Sequence, residues 1–260
     1  MAGHLPPGAP PATLPSATFP SATFPSATPV PDTAALLPDF LDAQRYDLFG
    51  AFWVTVQLAL YAAAGALTWG TLLAGLRVSP VPLLRAFAAL YVHVVRNTPL
   101  TVIIVATSLA LHQTMGATLG GGTAKETGFR LAVLGLAAYT ATFVCESLRS
   151  GINSVPVGEA EAARSLGLTF PQVLRHVVLP QAFRAVVNPL ATVLMSLTKN
   201  TTTAAAIGVG EAALLMKEML ENESHAVFAV FAVFAFGFVC ITLPTGLLLG
   251  WISTRVAVRR

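Results

Sequence analysis

The chain has 260 residues, of which 55% are hydrophobic and only 10% are Asp, Glu, Lys or Arg. Soluble domains run near ~25% charged, so a mean hydropathy of +0.71 excludes an ordinary cytosolic enzyme and points to a multi-pass membrane protein. A net charge of +3 is no argument for nucleic acid, and Cys145 and Cys240 stand in apolar runs without metal-ligand spacing, as small core residues do.

Residues 1–47 read as a separate region. Ten of the 18 prolines precede Leu41, and residues 14–28 repeat a short unit, LPSAT-FPSAT-FPSAT. Such a Pro/Ser/Ala/Thr segment buries too little apolar area to offset its ordering entropy, so a disordered extracytoplasmic tail is expected. It reads either as a tether or glycosylated stalk, or as a dispensable extension. It lacks the basic start and apolar core of a secretion signal.

From residue 48 onward the apolar runs predict five membrane-crossing helices: about Phe49–Leu76, Leu84–Leu111, Leu131–Leu148, Ala182–Ile207 and Ala226–Ile252. The expected fold class is therefore all-α. Pro99, Pro189 and Pro244 are expected to interrupt three of the spans. Nine Lys and Arg (Arg77, Arg85, Arg149, Arg164, Arg175, Arg184, Arg255, Arg259, Arg260) fall on one side of this bundle. Four (Arg45, Lys125, Arg130, Lys217) fall on the other, which places the N-terminus outside and the C-terminus in the cytoplasm. Outer residues 211–223 carry Glu211, Glu218, Glu221 and Glu223 with apolar residues at helical spacing. That pattern fits either an interfacial helix or an outer gate or docking surface.

Polar stripes run along four of the spans. Gln57, Tyr61 and Thr68 share a face of the first, and His93, Arg96, Asn97 and Thr101 cluster in the second. Tyr139, Thr142, Glu146, Arg149 and Asn153 line the third, and Asn188, Thr192, Ser196, Lys199 and Thr203 the fourth. Lipid cannot satisfy such stripes, so they face one another or water. Arg96, Asn97, Thr98, Thr142, Glu146, Ser196, Lys199 and Thr203 are the candidate substrate path, with Arg96 and Lys199 placed to attract a carboxylate. The competing reading has Lys199 reaching to an interface and Arg96 bonding to carbonyls opened beside Pro99. Glu146 and Arg149, three apart, are expected to pair locally.

The cytoplasmic loop 153–180 reads NSVPVGEAEAARSLGLTFPQVLRHVVLP. Ser154 and Pro156 suit a helix start, and Glu159 and Glu161 suit its positive end. Gly167 stops that helix, and a second short helix is expected from Pro171 to near Pro180. The pair has the shape of a plug for a soluble partner.

Within this loop Glu161-Ala162-Ala163, Gly167 and Val177-Val178-Leu179-Pro180 keep the spacing of the Glu-Ala-Ala…Gly…Ile-x-Leu-Pro motif. The chain therefore resembles the permease subunits of bacterial ATP-binding cassette importers, with Val177 for Ile the one departure. RNTPL (Arg96–Leu100), ESLRSGINSVP (Glu146–Pro156) and LTKNTTTAAAIGVGE (Leu197–Glu211) resemble the polar amino-acid branch, and most of all its actinobacterial glutamate type. The resemblance covers about residues 48–260. It implies the type I importer permease fold in a bacterial cell membrane and two permease subunits around one path, this chain with itself or with a similar one. An extracytoplasmic binding protein would deliver the solute, and a cytoplasmic ATPase dimer would hold ATP and Mg, so no cofactor is expected in this chain. Gly158, Glu159, Glu161, Ala162, Ala163, Arg164, Gly167, Leu179 and Pro180 form the expected ATPase-coupling loop.

No Lys follows the glycine spacing of a phosphate-binding loop, no paired His or Cys suggests a metal, and no Ser stands in a nucleophile elbow. Catalysis by this chain is therefore not expected. The alternative is an ion-gradient-driven secondary transporter, which calls for internal repeats that the sequence lacks.

Overall fold

A computed structural model describes residues 45–114, 116 and 123–256. The repeat tail and the terminal Arg259 and Arg260 lie outside the described residues. Among the described residues the chain is helical throughout: α1 (Leu48–Arg77), α2 (Pro82–Asn97), α3 (Leu100–Thr107), α4 (Ala124–Asn153), α5 (Val157–Ser165), α6 (Phe170–Val173), α7 (Leu179–Asn200), α8 (Ala212–Asn222) and α9 (Val227–Val256). Wider turns extend α3 over Ser108–Thr114 and join α6 to α7 over Leu174–Val178, and α7 tightens into a 3-10 segment over Thr201–Ile207.

Four helices are long and apolar enough to cross a bilayer, and α2 with α3 supplies a fifth if that bent pair is one span. The helix α4 is the centre. Leu131, Leu136, Thr140, Ala141, Val144, Cys145 and Gly151 are buried around its circumference, chiefly by α1 and α7. Small residues permit this closeness. A Cβ on Gly70 of α1 would lie 2.6 Å from the Val144 side chain, and one on Gly151 would lie 2.0 Å from Val186 Cγ2 of α7. Lipid tails are as apolar as Leu, so such close backbone packing, and not water exclusion, holds a bundle together in a membrane. By contrast α9 packs on α7 and α8 but leaves Phe228, Phe231, Phe236 and Trp251 exposed, as a lipid-facing helix does.

Prolines divide by context. Pro99 breaks the second span as expected, with a turn of 109° between α2 and α3. Proline has no N–H and keeps Thr98 out of the helical region, at φ −92° and ψ 135°. Pro189 and Pro244, expected to interrupt their spans, instead lie inside unbroken α7 and α9. One missing N–H is tolerated where neighbouring turns and helices hold the course.

Two further expectations are corrected. The second helix of the hairpin does not end near Pro180. It continues through the wide turn, where the Leu179 N–H donates to the Leu174 carbonyl five residues back, so Phe170–Ile207 is one span-length helical unit. The wider turn absorbs a proline that an ordinary helical turn would reject. Arg45–Asp47, grouped with the tail, belong to the fold: Tyr46 is buried and Asp47 caps α1 by accepting from the Gly50 N–H at 2.8 Å.

Candidate functional site

Helices α4 and α5 meet at the hairpin. Ser154 does not start α5: its hydroxyl bonds back to the Gly151 carbonyl at 2.7 Å, and Pro156 takes the cap position. Helix α5 then ends as expected. Gly167 adopts φ +85°, and Leu168 N–H reaches the Ala163 carbonyl at 3.3 Å, a closure that favours glycine. Gly158, Glu159, Glu161, Ala162, Arg164, Leu179 and Pro180 are exposed, and only Ala163 and Val173 are buried within the hairpin. The surface is open to a partner, and Glu159 accepts a hydrogen bond from the Gln181 amide of α7.

A second cluster lies close by. Arg77, Val92, His93, Arg96, Asn97 and Glu146 line a cleft of about 240 Å³ between α1, α2 and α4. Glu146 pairs with Arg77 at the end of α1, not with Arg149 as expected, which stays exposed. Residues three apart on a helix are neighbours on one face, but here α1 delivers Arg77 to Glu146 from across the groove. Glu146 stands seven residues before the end of α4, so the cleft lies only about 10 Å along that helix from the hairpin. Two guanidinium groups and an imidazole thus surround one carboxylate.

The remaining path candidates separate. Asn97 lines the cleft, and its side-chain amide also donates to the His93 carbonyl at 2.7 Å, while the Thr98 hydroxyl bonds the Val94 carbonyl at 2.9 Å. These two side chains take carbonyls near the break at Pro99, work that the competing reading gave to Arg96. Thr142 is buried and bonded to the Tyr139 carbonyl at 2.7 Å, as helix glue. Ser196 and Lys199 are exposed on α7, with Lys199 about 30 Å of helix beyond Leu179. Thr203 lies past them in the 3-10 segment, half-buried and bonded back to Asn200. The candidates therefore occupy two levels of the bundle. Arg77 was missed because its partner lies 69 positions away, beyond any helical period.

At the far end Glu211, read only as one of several outer acids, is wholly buried. It caps α8, accepting from the Leu214 N–H at 3.0 Å, and its other oxygen lies 3.3 Å from the Thr55 hydroxyl of α1. Burial pushes its carboxyl up to about 7, against the opposing pull of the Ala213 and Leu214 amides and of Thr55. Glu223 is also buried, beside Arg45 at 2.8 Å and the Tyr46 hydroxyl at 3.3 Å. Among the described residues no group of three His, Cys, Asp or Glu is placed to hold a metal ion.

Residues 66–258 match the family described as "binding-protein-dependent transport system inner membrane component". The glutamate transport system permease protein GluC of Corynebacterium glutamicum is 53% identical over 82% of this chain and 95% of its own length. The glutamate/aspartate import permease protein GltJ of Escherichia coli K12 is 33% identical over 69% of this chain and 75% of its own. Among solved structures, an amino acid ABC transporter crystallised with histidines superimposes with a TM-score of 0.69 at 22% identity, covering 86% of this chain and 98% of that one. The inward-facing MetNI methionine ABC transporter gives 0.61 at 19%, covering 81% and 96%. At these identities the two structures speak for the fold, and the sequence relatives for the family.

Proposed function

This chain belongs to the inner-membrane components of binding-protein-dependent transport systems, and we propose that the solute its importer carries is glutamate or a closely related polar amino acid. It is a multi-pass permease subunit of an ATP-binding cassette importer, all-helical, and nothing in the comparisons favours the ion-gradient alternative. The finer reading has a cytoplasmic ATPase dimer seated on the hairpin. A second permease subunit covers the polar face of α7, and an extracytoplasmic binding protein sits at the end near α8. ATP and Mg belong to the ATPase partner. The N-terminal side faces outward and the hairpin inward, following the Lys and Arg count.

One observation carries the solute proposal: the cleft holds Arg77, Arg96 and His93 around a single carboxylate, Glu146. Arg77 is engaged with Glu146, and Arg96 has no ion-pair partner among the described residues. A planar guanidinium lining such a cleft can bind a carboxylate in two-pronged fashion. Glu146 and Asn97 are the acceptors there for an α-ammonium. Lys199 and Ser196 would receive the solute at the outer level and pass it inward.

The test is uptake of labelled glutamate, aspartate and glutamine into proteoliposomes holding the complete transporter. ATP-dependent uptake of an acidic amino acid is expected. Uptake that persists without any ATPase subunit, driven by an imposed ion gradient, would overturn the reading. The same holds if Arg96→Ala and Lys199→Ala both leave uptake kinetics unchanged.

A further inference from the structure

We infer that Glu159 and Gln181 form the link by which the cytoplasmic hairpin moves α7, and that both are positioning residues for coupling ATP hydrolysis to transport. The inference rests on the importer reading above and adds the route by which force reaches the path.

Helix α5 is exposed on most of its surface and touches the rest of the chain sparingly. Its backbone route to α7 passes through Gly167, then α6, then the wide turn Leu174–Val178. That turn departs from the regular helix, closing onto the carbonyl five residues back, and Pro180 lacks a donor just beyond it. A push on α5 along the backbone alone would be taken up there. The Gln181 amide donating to the Glu159 carboxylate bridges this soft segment from side to side. Bonds with an ionised acceptor are roughly twice as strong as neutral ones.

Beyond Gln181 the chain is stiff. Helix α7 runs unbroken past Pro189 to Asn200 and carries Ser196 and Lys199. It also has a fulcrum next to the link. Gly151 of α4 lets Val186 and the Ala182 carbonyl approach so closely that a Cβ there would sit 2.0 Å and 3.0 Å from them. A pull at Gln181 therefore acts beside a fixed contact, and the distant end of the same helix swings. The pieces form a lever: hairpin, side-chain link, pivot and the polar face of α7.

The experiment uses the complete transporter in proteoliposomes and reads ATP hydrolysed per solute imported, normalised to the ATPase present in the assembled complex. E159A and Q181A should each raise that ratio roughly fivefold or more, in keeping with loss of one charge-assisted hydrogen bond. The exchange E159Q/Q181E keeps one carboxylate facing one amide and should return the ratio to near wild type. A purely structural role would lower hydrolysis and uptake together and leave the ratio in place. Wild-type ratios in both single variants would overturn the link, as would an exchange variant no better coupled than either single. If the single variants do not assemble, the exchange alone decides: a wild-type ratio supports the link and a raised one overturns it. A wild-type complex lacking ATP-dependent uptake would instead overturn the importer reading.

Discussion

At the hairpin end of the bundle the part-buried Glu146 carboxylate faces Arg77 across a cleft, with Arg96 and His93 alongside. At the far end Glu211 is wholly buried and, among the described residues, meets neutral donors, the Thr55 hydroxyl and the amides that open α8. One acid lies in a groove with access to water and opposite charge. The other fastens two helices together where its neutral form is favoured by burial. The contrast separates a carboxylate paired with a cation in an open cleft from one that ties two helices together.

The largest effect that tests this contrast is a pH dependence at Glu211. Burial raises its carboxyl from 4.5 to about 7, so between those values the folded chain keeps a proton that the unfolded chain has released. The group's favourable contribution is therefore full below about pH 4.5 and is lost as pH climbs toward about 7, after which it is flat. The span corresponds to a loss on the order of 3 kcal/mol. Glu211→Gln keeps an acceptor for the Leu214 N–H but cannot ionise. Thermal unfolding in detergent should show wild type losing stability between about pH 4.5 and about pH 7 while the variant stays level. Parallel profiles for the two proteins would show that Glu211 is not the responsible group.

Next in size is the pair at the other end. Removing one member of a wholly buried ion pair costs about 3–5 kcal/mol, because the survivor is left unpaired. Glu146 retains 31% side-chain exposure, so Arg77→Ala should cost less, about 1–3 kcal/mol. Adding Glu146→Gln to Arg77→Ala should recover part of the loss, since no stranded charge remains. If the double variant is less stable than the single, the ion pair is not the source. Arg96→Ala should leave stability within about 0.5 kcal/mol while lowering uptake efficiency roughly tenfold, the worth of one charge-assisted bond to a carboxylate. Uptake kinetics on the same preparations check both halves.

The division between the ends was only half legible in the sequence. Apolar runs located the five predicted spans, and the spacing from Glu161 to Pro180 located the hairpin, because both are local patterns. Gly167 was legible for the same reason: a helix that closes on a left-handed residue favours glycine there. The pairing of Glu146 was not, since helical periodicity proposes Arg149 and says nothing of a side chain arriving from α1. Pro189 and Pro244 carry the same local penalty as Pro99, yet only Pro99 turns the chain. Asn97 and Thr98 beside it cap the preceding turn with their own side chains, a helix end built in place. The burial of Glu211 escaped because an acid in an amphipathic outer segment reads as solvated until α1 is seen lying over it.

The smallest effects sharpen the far end itself, where two ion pairs sit on or beside α8. Arg45 lies 2.8 Å from Glu223, whose side chain is only 10% exposed, and Tyr46 and His225 approach the same carboxylate. Lys217 and Glu221 stand 3.9 Å apart, each about two-thirds exposed, one turn from each other on the helix. Exposed pairs of the second kind are worth about 0.3–0.5 kcal/mol at best, because water screens them and two long side chains must be held still. Lys217→Ala should therefore shift unfolding by no more than that. Glu223→Gln removes a charge that three neighbours converge on, and should cost about 1 kcal/mol. Raising salt should erase the Lys217 effect and leave most of the Glu223 effect, since a buried partner is screened less. Equal losses for the two variants, or equal salt sensitivity, would mean that burial does not set the value of a charge at this end, and the reading of Glu211 beside it would weaken accordingly.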